Sequence, residues 1–205
     1  WATLYGGNNF EYANSVAIDV SGNIFVTGIT GSPNFPVQNA GTYYQATLAG
    51  AQDAFVLKFS NSGNRLWATY YGGTGVDAGT DIGVDISGNV FVLGYSQSTN
   101  LPVQNAGTYF QGTLNGMNDI FILKFTNGGN RLWATYYGGS GDENSSTSSR
   151  SSDAIDFDAC GNVYFAFSSQ ANTFTQSAAC NLGYNKNALY NPMNISSFCD
   201  LFILK

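Results

Sequence analysis

Residues 64–73 read "NRLWATYYGG", and residues 130–139 read "NRLWATYYGG" again, 66 positions later. An identical phrase at a fixed offset marks a chain built by repetition, and the period has to be settled before any single segment is assigned. The chain also opens on "WATLYGG" at 1–7, the later part of the same phrase, so Trp1, Trp67 and Trp133 stand at equal intervals. Working outward, "AIDVSGNIFVTG" (17–28) returns as "GVDISGNVFVLG" (83–94) and, altered, as "DFDACGNVYFAF" (156–167). "DAFVLKF" (53–59) returns as "DIFILKF" (119–125) and "DLFILK" (200–205). The period divides the chain into units 1–66, 67–132 and 133–205, the third lengthened in the Ser-rich run 144–152 and again between Asn162 and Asp200.

Each unit holds four strand candidates. In the second, 81–86 and 89–95 flank "SG" at 87–88, a hairpin turn in which Gly supplies a positive φ at little steric cost. Residues 119–126 and 130–138 flank "NGG" at 127–129, a second hairpin. The connection between them, 97–118, carries "LPVQNAGTYFQGTLNG", the counterpart of "FPVQNAGTYYQATLAG" at 35–50. Val90 and Val92 are apolar, and so are the alternating Phe91 and Leu93. A sheet wet on one side would alternate, so these sheets are covered on both faces. Near-identical antiparallel four-stranded sheets that need cover on two faces are satisfied by radial stacking, which makes the expected fold an all-β β-propeller.

Composition agrees. Among 205 residues, aromatics make up 15%, Gly numbers 25, charged residues are 10% and His is absent, the mix of aromatic and β-branched strands joined by Gly/Asn/Ser turns. The net charge is −6 and the seven basic residues are scattered singly, which excludes a nucleic-acid partner held by phosphate neutralisation. No run approaches the roughly 18 apolar residues that a membrane-spanning helix needs. The chain lacks an initiator Met, begins on a fourth-strand phrase and ends on a third-strand phrase. The expectation is an excerpt of a longer propeller, with copies closing a ring together as the other reading, and with strand 1–7 completing a blade other than the one that follows it. Cys160, Cys180 and Cys199 all lie in the last quarter. Cys180 and Cys199 bracket a stretch that departs from the repeat, so a disulfide between them is expected in an oxidising compartment, buried thiols being the alternative.

Taken in order, the elements D-x-S-G-N-[VI]-[FY]-V-x-G, F-P, G-T-Y, D-[AI]-F-[VI]-x-K-F and G-N-x-L-W-[AS]-T-Y-x-G-G run strongly through 1–139 and weakly through 140–205. This set resembles the bacterial β-propeller repeat known as SBBP. The resemblance implies large secreted or cell-surface proteins of varied roles. The third unit departs from the pattern: its Phe-Pro element becomes "FTQ" (174–176) and its Gly-Thr-Tyr element is lost.

A charged residue that recurs at one phase in every unit serves the blade, whereas a catalytic set should be unique. Asp19, Asp85 and Asp158 recur beside the first turn, where a carboxylate accepts turn N–H groups. Asp53, Asp119 and Asp200, Lys58, Lys124 and Lys205, and Arg65 and Arg131 recur as expected sheet-edge and inter-blade pairs. Glu11, Asp77 and Glu143 share a phase after "YGG". A ring of such acids on one face would suit calcium, which takes about six to eight oxygen ligands; solvated loop acids are the alternative, and no other cofactor is expected. The unphased remainder is Asp81, Asp142, Arg150, Asp153, Asp156 and Lys186, mostly near the Ser-rich insertion. A hydrolase triad of the usual kind needs His. Asp142 and Glu143 as a glycosidase pair read better as a polar loop. Tyr43, Tyr44, Tyr109 and Phe110 occupy matching points of the long connections and are the candidate contact residues, unless they tuck inward and pin the loop. The function expected is a non-enzymatic extracellular or bacterial cell-surface module acting in adhesion, protein interaction or assembly, with a protein or surface glycan as partner. A lectin-like or glycan-processing propeller is the competing class.

Overall fold

The computed structural model describes residues 1–41, 43–106, 110–143 and 153–169, together with the backbone of 200–204. The described residues form three antiparallel sheets. The first contains β1 (Glu11–Ile18), β2 (Ile24–Thr30), β3 (Asp53–Phe59) and β4 (Arg65–Tyr71), in that order. The second repeats it with β5 (Asp77–Val84), β6 (Val90–Ser96), β7 (Asp119–Phe125) and β8 (Arg131–Tyr137). The third contains β9 (Ala154–Phe157), β10 (Val163–Ser169) and β11 (Asp200–Leu204), with β10 in the middle.

The hairpin turns explain the registers. Asp85 N and Gly88 N close the β5–β6 turn onto Asn89 O and Asp85 O, both at 2.9 Å, and Gly88 sits at φ +81°, where a side chain would be strained. The Asp85 carboxylate accepts Ser87 N at 2.9 Å and Asn89 N at 2.8 Å, the turn cap its phase predicts. Asp19 does the same with Ser21 N and Asn23 N, and Asp158 with Cys160 N and Asn162 N. In the second hairpin a hydroxyl replaces the carboxylate: Ser60 and Thr126 accept Asn64 N and Asn130 N.

Every residue of β3 is buried, as expected for a sheet covered on both faces. Phe25, Val56 and Trp67 of the first sheet share a core with Ile82, Val92, Phe121 and Phe125 of the second. Phe91, Leu93, Ile120 and Ile122 of the second sheet meet Phe165 and Phe167 of the third. β5 packs on β1, β2 and β3, and β9 packs on β5 and β6, so the first strands of successive sheets line one side of the stack.

Residues 1–7 form no strand, yet they contact the first sheet as β4 contacts the second. Trp1 Nε1 donates to Asn61 O at 2.9 Å and Trp67 Nε1 to Asn127 O at 3.1 Å. The Trp1 ring lies 5.9 Å from Phe59, and Trp67 lies 6.0 Å from Phe125. Tyr5 OH donates to Pro36 O and Tyr71 OH to Pro102 O, and each phenol accepts from an arginine, Arg65 or Arg131. The first two sheets therefore run 11–71 and 77–137, and each unit counted from its Trp begins on the segment that lies against the following sheet.

Candidate functional site

The β2–β3 and β6–β7 connections fold back over one end of their sheets. Tyr70 OH donates to Ser32 O at 2.6 Å and accepts Phe35 N at 2.9 Å; Tyr136 does the same with Ser98 O and Leu101 N. Gln38 and Ala68 exchange two backbone bonds, at 2.8 and 3.0 Å, as do Gln104 and Ala134. Beneath each connection lies a buried carboxylate. Asp53 accepts Ala49 N at 2.8 Å, Gly50 N at 3.1 Å and Gln45 Nε2 at 2.6 Å. Asp119 accepts Asn115 N at 2.9 Å, Gly116 N at 3.0 Å and Gln111 Nε2 at 2.7 Å. These acids, expected as sheet-edge partners for cations, instead clamp loops through neutral donors, because the connection closes over them and removes them from water.

Gln45 and Gln111 carry a structural role that the sequence reading missed. Besides donating to the buried acid, Gln45 Oε1 accepts Gly72 N at 3.0 Å and the Tyr43 hydroxyl at 3.1 Å. The signal was present: a Gln follows the aromatic pair at the same phase in both units.

Glu11, Asp77 and Glu143 do not assemble into one ring of open ligands. The Asp77 carboxylate accepts Ser96 Oγ, Ser98 Oγ at 2.7 Å and Gly73 N at 2.7 Å. Glu143 accepts Ser169 Oγ at 2.9 Å and Gly139 N at 3.2 Å, and Glu11 accepts Thr30 Oγ1 at 2.9 Å. Two of these acids pair instead with the loop clamp of the preceding sheet. A Cβ on Gly72 would collide with both Asp53 and Asp77, and one on Gly138 with both Asp119 and Glu143, so each glycine makes room for two carboxyl groups. Burial raises the affinity of all four for protons, against the hydrogen bonds that favour the ionised forms. Asp53 is pushed up to about 6 and Glu143 to about 7, the neighbouring acid adding to burial in each case. No group of three acids or cysteines able to hold a metal ion comes together among the described residues.

The loop aromatics divide. Tyr43 turns inward, its ring 5.1 Å from Tyr71 and 6.2 Å from Phe125, with the Arg131 guanidinium 4.4 Å from its centroid. Burial pushes its phenol well up. Tyr44 and Phe110 are exposed. Tyr109, Cys180 and Cys199 lie outside the described residues. Cys160 is an exposed free thiol in the β9–β10 turn. Lys58 bridges two sheets, donating to the Asn127 side chain and backbone while lying 5.0 Å from the Phe25 centroid. Burial pushes Asp153 up to about 6, and Asp81 accepts Ser15 Oγ and, at 2.6 Å, Ile155 N. Among the described residues no helix is long and apolar enough to cross a membrane.

Residues 66–102, from β4 to the start of the second long connection, match the Beta-propeller repeat family, SBBP. An uncharacterized WD repeat-containing protein of Acanthamoeba polyphaga mimivirus is 27% identical over 127 residues, a stretch that covers 58% of this chain and 9% of that protein's length.

Proposed function

We propose, for a chain that carries the SBBP beta-propeller repeat, that it is a non-enzymatic interaction module that presents loop aromatics to a protein partner outside the cell, at a bacterial surface. The observation that carries this reading is the paired display of Tyr44 and Phe110. They are 66 positions apart, both exposed, and each is followed by a glutamine fixed to a buried carboxylate. Aromatic rings held on an anchored loop offer contact area at low entropic cost. The recurring acids support a structural rather than catalytic use of the charges, since their oxygens accept loop and turn donors. Likeness to a WD repeat-containing protein supports a repeat architecture for such a module.

The test is a Tyr44→Ala/Phe110→Ala double variant, measured against extracted cell-surface proteins and a glycan array. The expected result is loss of protein binding at an unchanged melting temperature. Protein binding undiminished by the double substitution would overturn the loop assignment, and glycan binding abolished by it would move the protein to the lectin-like class.

A further inference from the structure

Lys58 carries its ammonium group into the seam between the first and second sheets, where water scarcely reaches it. It stands on β3, is 5% exposed, and lies over the Phe25 ring at 5.0 Å from the centroid. Its hydrogen bonds go to Asn127, in the turn between β7 and β8: it donates to the side-chain Oδ1 and, at 3.3 Å, to the backbone oxygen. The Asn127 amide is held from its other end as well. Its Nδ2 donates to Asp19 Oδ2 at 3.0 Å, in the first hairpin turn of the first sheet. An ammonium group only donates and a carboxylate only accepts, so these two partners fix which end of the amide faces which. Trp67 Nε1 donates to Asn127 O at 3.1 Å and fixes the backbone. A primary amine, an amide carbonyl and a carboxylate thus stand in one hydrogen-bonded series, drawn from positions 58, 127 and 19. Asp19, Phe25 and Trp67 are buried with Lys58, so water, the competing nucleophile, is kept away. Burial lowers the proton affinity of Lys58, with the Asp19 charge opposing it.

We propose that Lys58 and Asn127 join in an intramolecular isopeptide bond, with Asp19 moving the protons, so that the first two blades are stapled covalently once they have folded together. Asp19 takes one proton from the Lys58 ammonium group. The freed Nζ pair then forms the bond to Asn127 Cγ while the carbonyl π pair moves onto Oδ1. Asp19 passes its proton to Nδ2 and takes a second one from Nζ. The Oδ1 pair reforms the carbonyl, the Cγ–Nδ2 bond breaks, and ammonia leaves, collecting the second proton from Asp19 as ammonium. Nothing is oxidised or reduced, and the positive charge lost by Lys58 departs on the ammonium ion. The fold supplies the drive: an amine held against a carbonyl in attack geometry reacts as if at an effective concentration of about 10⁵ M or more. Neither Tyr44 nor Phe110 takes part, so the bond goes beyond the proposed function, and its failure leaves that reading untouched.

The test is the intact mass of the folded chain, followed by tryptic mapping. Loss of ammonia is expected to leave the wild type about 17 Da lighter than its sequence. Trypsin is then expected to leave Lys58 uncut and to release residues 125–131, "FTNGGNR", as a branch on residues 1–65. Asn127 precedes Gly128, and ring closure onto Gly128 N loses the same mass, so the branch is the deciding observation. Lys58→Arg is expected to keep the full mass of its sequence and to release 125–131 as a separate peptide. Should that variant fail to fold, Lys58→Met takes its place. Asp19→Asn keeps an oxygen for the turn donors, and it is expected to hold the unreacted mass when the wild type has finished, a slowing of about 100-fold or more. A wild type at full mass overturns the proposal, and so does ammonia loss with 125–131 released as a separate peptide. Asp19→Asn reacting as fast as the wild type overturns the three-group mechanism.

Discussion

Acids recur at fixed phase at both ends of the sheets, and the two ends treat them in opposite ways. At the hairpin end, hydrogen bonds from Asn127, Asn23 and Ser21 outweigh the burial of Asp19 and hold it at about 2, while Asp158, held chiefly by Asn162, is also at about 2. At the loop end, Asp53 and Glu143 rise to about 6 and about 7 although each accepts hydrogen bonds from fixed donors. Asp158 caps a turn open to water, whereas Asp19 is itself buried and is held down by its donors, with no neighbouring acid among the causes of its shift. Asp53 is closed over by a connection and faces Asp77 of the next sheet, and Glu143 is buried against Asp119 of the preceding one. Donor count alone therefore does not fix the charge state; desolvation and a like-charged neighbour decide it.

The largest effect is expected where a buried acid is removed. Asp119→Ala strands one buried donor, Gln111 Nε2, and two part-buried ones, Asn115 N and Gly116 N, and should cost about 3 kcal/mol in urea unfolding, since an unsatisfied buried group costs about 1–3 kcal/mol. Tyr71→Phe removes the hydroxyl that joins Pro102 O to Arg131 across the junction and should cost about 1–2 kcal/mol in the same assay. Asp19→Ala at the hairpin end should cost about 1 kcal/mol, because the freed donors, Ser21 N and Asn23 N, are part-buried in a turn whose Ser21 is exposed. If Asp19→Ala proves as damaging as Asp119→Ala, the distinction between the two ends fails. Glu143→Gln removes one titrating group and should flatten the decline of melting temperature between about pH 4.5 and about pH 7. Smallest of all, Tyr44→Ala/Phe110→Ala should change stability by no more than about 0.5 kcal/mol, as befits exposed side chains.

Much of the fold is legible because repetition supplies its own control. "DVSGN" and "DISGN" specify a cap, a glycine with positive φ and a hairpin, and both turns form as their letters require. What stays hidden is whatever two sheets create together. Asp53 and Asp77 lie 24 positions apart, and only the stacking of one sheet on the next brings them against Gly72. Tyr43 and Tyr44 are chemically alike and adjacent, yet one wedges beside Tyr71 and Arg131 while the other faces solvent; local pattern holds no trace of that choice. Gln45 and Gln111 were within reach, since their phase is fixed, but an uncharged residue attracts no notice in a search for chemistry. Val16 and Ile82 show the limit most plainly, for a near-identical pattern is exposed in one blade and buried in the next.

The opposed behaviour of the two ends is tested most directly by melting temperature as a function of pH. Loop-end acids with raised affinity contribute stability that is full below their ordinary values of 3.8 and 4.5 and is lost as pH rises through about 6 and about 7. Hairpin acids with lowered affinity contribute stability that is full above 3.8 and is lost as pH falls through about 2. The account predicts a maximum near about pH 4 with a decline on both sides. A melting temperature that climbs steadily from acid to neutral pH would contradict it, because the loop-end carboxyls would then be ionised in the folded protein without cost.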